Sequence, residues 1–415
     1  MQKSKTKVLL GSLSALAVSS IISAANATEL EVTHWWTSGG EAAAVAEFAS
    51  AFDATGNTWV DAAIAGSGDI ARAAMVSRIT GGDPMGATQF NHGRQAEELV
   101  EAGLMQDLTE LATKENWADL IHPSSLLDGC TLDGKIYCVP VNIHSWQWLW
   151  VSHQAFEDAG VAVPTNWSEF IGAAPKLEEA GKIPLAMGGQ SWQSDGAFNV
   201  MIAALAGPDI YTRILADKDA DAVAGPEMAK VFEAAAAARE YSKNTKVQDW
   251  NQATNLVITG KAGGQIMGDW AQGEFQVANQ VAGEDYTCLP GLGVNKVIST
   301  GGDAFYFPKL DDPEKTKAQM ELASLMLSKE VQVSFNLKKG SLPVRGDVDL
   351  STANDCMRQG LEILASGNIL LDSNQALSPD TTGQLKDLMV EFWASSDMSA
   401  AEAQKSYAKI ISNAD

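Results

Sequence analysis

Two adjacent tryptophans, a glycine pair and a carboxylate stand close together near the start of the chain. Trp35 and Trp36 end a short apolar segment, Gly39-Gly40 follows, and Glu41 opens a segment with helical spacing. An indole face can stack on the apolar C–H face of a sugar ring, and a fixed carboxylate can accept hydrogen bonds from ring hydroxyls. The alternative is two core tryptophans and an ordinary first-turn glutamate. The motif alone leaves both interpretations open.

Other sequence motifs with defined chemistry are weak or absent. Residues 66–71, GSGDIA, fit the G-x-G-x-x-A dinucleotide pattern, but Glu98 and Glu101 fall too late for the ribose-binding acid. A helix-capping turn explains the segment better. The sequence has no G-x-x-x-x-G-K, no H-E-x-x-H and no G-x-S-x-G. A carboxylate pair for glycoside hydrolysis stays an alternative, because the chain has 52 acidic residues.

The N-terminus has the features of an export signal. Lys3, Lys5 and Lys7 precede an apolar run over residues 8–22, and Ala25-Asn26-Ala27 matches an A-x-A cleavage site. A membrane anchor is disfavoured because glycine and serine residues interrupt a run that is short for a span. We therefore predict that residues 1–27 are a cleaved signal peptide and that the mature protein is exported.

Charge and length restrict the partners and the domain organisation. The formal net charge of −23 at pH 7 argues against nucleic acid as a partner. A chain of 415 residues exceeds what one hydrophobic core usually supports. Two domains are therefore expected.

Four cysteines in an exported chain predict two disulfides. Cys130 and Cys138 flank the sequence TLDGKIY, and a hairpin with a three-residue loop at 133–135 would place them directly opposite each other. That pairing leaves Cys288 with Cys356. Because the chain has no C-x-x-C and only 5 histidines, we predict no metal site and no cofactor.

Short apolar segments alternate with segments of helical spacing, which predicts an α/β architecture with largely parallel sheets. Strands are predicted at residues 29–36, 58–65, 87–90, 183–187, 263–268 and 301–308. Helices are predicted at residues 41–55, 69–80, 95–102, 108–120, 226–241 and 313–333.

Three segments are predicted to pass between the two domains: residues 139–151, 301–308 and 338–344. In the first, Trp146, Trp148 and Trp150 would share one face of a strand, and we interpret this stripe mainly as packing. Domains joined by several such segments can hinge shut around a ligand without unfolding.

The mature chain resembles the periplasmic sugar-binding components of ABC importers, and within them the glucose/mannose-binding branch. The resemblance is carried by EVTHWWTSGGE at 31–41, MVSRITGGDP at 75–84, GDW at 268–270, GGDAF at 301–305 and KGSLPVR at 339–345. It implies a type II periplasmic-binding-protein fold with several hinge crossings. The expected lobes are residues 28–143 plus 300–343 and residues 144–299 plus 344–415.

The resemblance also implies which residues form the cleft. It places Trp35, Trp36 and Glu41 on the first lobe and Trp270 on the second, with Asp303 and Lys339 from the later motifs. His92 stands where the glucose-binding relatives carry a lysine, and Asp380 lies in the segment where they place a histidine; the predicted sugar-binding set is Trp35, Trp36, Glu41, His92, Trp270, Asp303, Lys339 and Asp380.

These residues suit a receptor rather than an enzyme. The resemblance implies a monomeric protein that binds a monosaccharide, glucose first and then mannose or galactose, and delivers it to an ABC permease. A glycoside or small disaccharide is the alternative ligand, and a secreted glycoside hydrolase is the alternative of another class.

Overall fold

The computed structural model describes residues 27–414, so the predicted signal peptide, residues 1–27, lies outside the described residues except for Ala27. The strands are β1 Glu29–His34, β2 Thr58–Ala63, β3 Ala87–Asn91, β4 Thr131–Leu132, β5 Lys135–Ile136, β6 Cys138–Pro140, β7 Trp148–Ser152, β8 Ile183–Leu185, β9 Ala262–Ile266, β10 Tyr286–Pro290, β11 Ile298–Ser299, β12 Asp303–Tyr306 and β13 Ile369–Leu370.

The α-helices are α1 Gly39–Asp53, α2 Gly68–Thr80, α3 Glu97–Glu101, α4 Thr109–Lys114, α5 Trp117–Leu120, α6 Ser125–Asp128, α7 His153–Asp158, α8 Trp167–Glu179, α9 Ser191–Met201, α10 Pro208–Leu215, α11 Ala220–Ala224, α12 Pro226–Ser242, α13 Trp250–Ile258, α14 Ala271–Val277, α15 Pro313–Met326, α16 Lys329–Lys339, α17 Asp355–Ser366, α18 Ser373–Ala376, α19 Pro379–Ala394 and α20 Ala400–Ile411. Within residues 27–414, none of them combines the length and the apolar character that a membrane span requires.

Two sheets form the centres of two lobes. The first has the strand order β2-β1-β3-β12-β6, and the second has the order β10-β7-β9-β8. In the first sheet only β12 runs against the other strands, because it is antiparallel to both β3 and β6 while β1 is parallel to β2 and β3. In the second sheet only β7 is reversed. The predicted α/β fold is confirmed, and each sheet is mixed through a single reversed strand.

Helices cover both sheets. On the first lobe α1 contacts β2, α15 contacts β1, and α16 packs on α1, whose Val45, Phe48 and Phe52 are buried. On the second lobe α8 and α12 contact β8, and α7 and α13 contact β9. The C-terminal helices α19 and α20 pack on α9 and α12, so the end of the chain belongs to the second lobe's helical layer.

Three chain segments cross between the lobes side by side. Ile143 N–H donates to the Leu342 carbonyl at 2.8 Å, and His144 N–H donates to the Gly301 carbonyl at 2.8 Å. Residues 139–151, which we predicted as the first crossing, contain parts of two strands: β6 ends at Pro140, and β7 begins at Trp148. The irregular segment between them forms the crossing, because its residues Ile143 and His144 bond to the other two crossings.

Two predicted helices are each broken into two. The helix at 108–120 divides at Asn116, whose left-handed φ of 54° cannot continue a helix. The helix at 313–333 ends at Met326, and Ser328 then caps a second helix through a hydrogen bond from Val331 N–H. The second helix runs to Lys339, so it delivers that lysine to the third crossing.

Both predicted disulfides are present, Cys130–Cys138 and Cys288–Cys356. The predicted three-residue hairpin loop is wrong. Thr131 pairs with Ile136 and Leu132 with Lys135, which leaves the two-residue loop Asp133-Gly134 with both φ values positive, as a tight hairpin turn requires. Tyr137, not Cys138, is therefore opposite Cys130, and the disulfide joins diagonal neighbours.

Candidate ligand-binding cleft

A cavity of about 350 Å³ lies between the two lobes. This volume is within the range of about 300–1,000 Å³ that small-molecule sites occupy. Six of the eight residues predicted for the cleft line it: Trp35, Trp36, Glu41, Trp270, Asp303 and Lys339. They come from both lobes and from a crossing, which is why they lie far apart in the sequence.

The two early tryptophans differ in environment. Trp36 is 1% exposed and packs against the rings of Phe48, Phe305 and Phe335, with centroids 5.3–6.3 Å away. Trp35 is only partly buried, and the Arg72 guanidinium lies 5.8 Å from its ring centroid. Trp36 therefore serves mainly as core with one edge at the cavity, while Trp35 offers more of its surface to a ligand.

Glu41 has a local and a distant partner. Its carboxylate accepts from the Ser38 N–H while the Ser38 hydroxyl accepts from the Glu41 N–H, a capping box that begins α1. Its other oxygen accepts from Lys339 Nζ at 2.8 Å, in a pair that is almost fully buried. Lys339 also lies 5.5 Å from the ring centroid of Trp36. The paired charges are thus held rigidly at the cavity wall.

A buried histidine that we did not predict links the two lobes. His144 Nδ1 lies 2.7 Å from Asp269 Oδ1, after β9, and His144 Nε2 lies 2.7 Å from Asp303 Oδ2, at the start of β12. Burial alone would lower the pKa of His144, but the two carboxylates outweigh it and raise the pKa to about 9. An imidazolium that donates to both carboxylates is therefore the form present at neutral pH.

Both oxygens of the Asp303 carboxylate have partners among the neighbouring side chains. Gln89 Nε2 donates to Oδ1 at 2.7 Å, and Asn142 Nδ2 donates to Oδ2 at 2.9 Å beside His144. Burial would raise the pKa of Asp303, but His144, Lys339 and Asn142 lower it to about 2. Asp303 is thus an anion held in one orientation at the floor of the cavity.

Four tryptophans form an aromatic wall on the second lobe. The Trp270 ring lies edge-on to Trp146 at 4.7 Å and to Trp250 at 6.5 Å, and it is tilted against Trp192 at 6.3 Å. Trp148, by contrast, stacks inside the core. The predicted stripe at 146–150 is therefore packing except for Trp146, which precedes β7 and lines the cavity.

Two predicted residues do not lie on the cavity wall. His92 is 1% exposed, lies behind the cavity and bonds to Gln375 through Nδ1 at 2.7 Å; burial lowers its pKa to about 4, so it is neutral. Asp380 is exposed and accepts from Gln384 at 2.7 Å. The structure therefore does not bring these two residues to the cavity wall, and for Asp380 the reason is helical phase, since Thr382 and not Asp380 lies on the inner face of α19.

The lobes touch around the cavity. Lys386 Nζ on α19 lies 3.0 Å from the Asp69 carboxylate of the first lobe. At another point, Gly40 N–H donates to Glu274 Oε1 at 2.7 Å. Backbone atoms of Gly273 stand so close to Gly40 that a Cβ there would meet them at 2.6 Å, so only glycine fits. These contacts describe a closed cleft.

Among residues 27–414, no group of histidine, cysteine and acidic side chains is arranged to hold a metal ion. The charged groups at the cavity floor are instead paired with one another, since His144 lies between Asp269 and Asp303.

Comparison with known proteins gives a consistent result. Residues 36–333 match the family model described as bacterial extracellular solute-binding protein. A probable sugar-binding periplasmic protein of Rhizobium meliloti (strain 1021) is 37% identical over 348 residues, which cover 83% of each chain.

Solved structures agree on the fold. A chitin oligosaccharide binding protein superimposes with a TM-score of 0.76 at 18% identity, over 94% of this chain and 99% of the other. The bacterial solute receptor AcbH, described as having an exclusive substrate preference for β-D-galactopyranose, superimposes with a TM-score of 0.73 at 18% identity, over 92% and 98%. These neighbours are binding proteins with the two-lobed type II periplasmic-binding fold.

Proposed function

Because the chain belongs to the bacterial extracellular solute-binding protein family, we propose that it binds a monosaccharide, D-glucose first, in the interlobe cleft and presents it to an ABC permease. As relatives and structural neighbours are solute-binding proteins, it is a receptor and not an enzyme. We also propose that it is an exported monomer, with residues 1–27 removed.

The observation that carries the proposal is the combination of aromatic faces with fixed charges in one closed cavity. Trp35 and Trp270 line it from different lobes and would contact the two faces of a pyranose ring. Glu41 and Asp303 would accept hydrogen bonds from the sugar hydroxyls, and Lys339 would donate. Since each of these charges already has a partner, a neutral ligand disturbs their balance least.

Closure explains how such a site retains its ligand. We propose that the lobes comprise residues 28–143 plus 300–343 and residues 144–299 plus 344–415, and that they rotate about the three crossings. The contacts of Lys386 with Asp69 and of Gly40 with Glu274 would form only when the lobes meet. A bound sugar stabilises that state because it touches both walls at once.

Titration by tryptophan fluorescence tests the proposal. The mature protein, starting at Thr28, is titrated with D-glucose, D-mannose, D-galactose and disaccharides, and the sugar is recovered and identified by chromatography. We expect a saturable change, with glucose among the tightest ligands and recovered unchanged. A hydrolysed glycoside, or no response to any sugar at millimolar concentration, would reject the receptor assignment.

A glycoside or small disaccharide is the second candidate ligand. The specific observation in its favour is that residues of α9 and α19 line the cavity in addition to the groups assigned to one ring. The same titration separates the candidates, because a disaccharide receptor binds the disaccharide at least tenfold more tightly than either of its monosaccharides.

A further inference from the structure

Three polar side chains in the second lobe's part of the cavity wall have an atom without a hydrogen-bond partner among residues 27–414. These atoms are Asp195 Oδ1, Asn199 Oδ1 and Thr382 Oγ1. The residues line the cavity and are only 6%, 8% and 7% exposed. Buried polar atoms are normally paired, because leaving one unpaired destabilises the fold.

The three residues belong to one patch. Asp195 and Asn199 lie one turn apart on α9, and their side chains meet at 3.3 Å between Asn199 Nδ2 and Asp195 Oδ2. Thr382 lies on α19, which packs against α9. The unpartnered atoms are therefore on two adjacent helices that face the same cavity.

The Asp195 carboxylate has no cation bonded to it in the described structure. Lys386, a basic residue that also lines the cavity, directs its Nζ to both oxygens of Asp69 at 3.0 and 3.3 Å. Asp372 adds a second negative charge, and its Oδ1 accepts from the Asn374 N–H and side-chain amide at 2.9 and 2.8 Å. Burial raises the pKa of Asp195 to about 6, with Lys386 opposing and Asp372 and Asp69 adding to the rise. At neutral pH it is still mostly an anion, and its Oδ1 has no hydrogen-bond donor among residues 27–414.

We propose that Asp195, Asn199 and Thr382 form a further ligand-binding group of the cleft. In it, Asp195 and Asn199 accept hydrogen bonds from sugar hydroxyls, and the Thr382 hydroxyl makes a further hydrogen bond to the sugar. This inference rests on the proposed sugar-receptor function and extends it, since it assigns hydroxyl recognition on the second lobe to residues that no sequence motif marked. The group replaces Asp380 as the second lobe's acidic contribution to the site.

The test compares the same substitution, aspartate to asparagine, at a buried position and at an exposed one. Asp195→Asn removes a charged acceptor from the proposed group, and Asp380→Asn makes the same change at the exposed start of α19. Affinity for the tightest sugar of the panel is measured by calorimetry at pH 7.5, and the melting temperature is measured without ligand. A hydrogen bond to a charged group is strong enough that its loss should weaken binding about 10- to 100-fold in Asp195→Asn, while Asp380→Asn should stay within about twofold of the unchanged protein.

The melting temperature separates a binding role from a structural one. Since Asp195→Asn removes a buried, poorly paired charge, the ligand-free protein should be at least as stable as before. Loss of both affinity and stability would indicate a structural residue and overturn the proposal. Thr382→Val, which keeps the side-chain shape, is the second variant; it should weaken binding about fivefold or more, and it decides the matter if Asp195→Asn does not fold.

The outcomes also separate this inference from the function on which it rests. If the unchanged protein binds no sugar, both fail. If it binds a sugar and Asp195→Asn binds as tightly as Asp380→Asn, the function stands and the proposed binding group is rejected.

Discussion

The buried His144 bridge predicts how the stability of the ligand-free protein depends on pH. The pKa of His144 is raised to about 9 in the folded protein, against 6.5 for an unperturbed histidine. The folded state therefore holds this proton more tightly than the unfolded state. The resulting stabilisation is fully present below pH 6.5 and is lost as the pH rises through 9.

The size of the effect follows from the shift. A difference of about 2.5 pKa units corresponds to about 3 kcal/mol of unfolding free energy. Two other buried groups titrate below this window, Asp195 with a pKa of about 6 and His92 with a pKa of about 4, while burial raises the pKa of Tyr211, Tyr306 and Tyr407 above it. Asp195 and His92 act in opposite directions there, because a raised carboxyl pKa favours folding at low pH and a lowered histidine pKa disfavours it.

Urea denaturation between pH 6.5 and pH 9.5 measures this dependence. The unchanged protein should lose about 3 kcal/mol of unfolding free energy across the interval. His144→Gln should be less stable at pH 6.5, because Asp269 and Asp303 lose their buried cation, and its stability should be nearly constant over the same interval. An equal slope in both proteins would show that His144 is not the titrating bridge.

Three further predictions concern the cleft and the covalent links. Trp270→Ala should weaken sugar binding by about 2 kcal/mol, or about 30-fold, in a calorimetric titration, since buried aromatic residues dominate binding sites; an unchanged affinity would remove Trp270 from the site. Lys386→Met should break the contact with Asp69 between the lobes and increase the radius of gyration of the ligand-free protein in X-ray scattering; an unchanged profile would show that this pair does not hold the lobes together. Replacing both cysteines of the Cys288–Cys356 disulfide by serine should cost about 4 kcal/mol of unfolding free energy for a loop of 68 residues, and a loss below about 1 kcal/mol in denaturant unfolding would contradict the loop-closure account.

Local signals in the sequence predicted the parts of the fold that depend on neighbouring residues. The helix predicted at 41–55 is present as α1, and it begins at a capping box because Ser38 and Glu41 stand three residues apart. The cysteine pairing was also correct, although the hairpin register was off by one residue because Asp133-Gly134 suffices for the turn.

Long-range pairing could not be predicted in the same way. His144 is 125 residues from Asp269 in sequence, and nothing near it marks it as the bridge between two carboxylates. Asp195 and Thr382 come together only because α9 packs on α19. Asp380 lies off the cavity wall because of helical phase, since a shift of two residues along a helix moves a side chain to a different face.

The different environments of Trp35 and Trp36 could not be predicted from the sequence either. Their sequence suggested either two ligand-binding residues or two core residues. The structure assigns Trp36 mainly to the core and leaves Trp35 more accessible. Both residues directly follow β1 but differ in burial, so each interpretation applies to one tryptophan.

The most direct test of the central claim is a calorimetric titration of the mature protein with D-glucose, alongside D-galactose and a disaccharide. A receptor that closes on one sugar should bind a single molecule per chain, with glucose tightest and the complex compact in scattering measured on the same sample. No heat of binding with any of these sugars at millimolar concentration would contradict the assignment of the cleft as a sugar site.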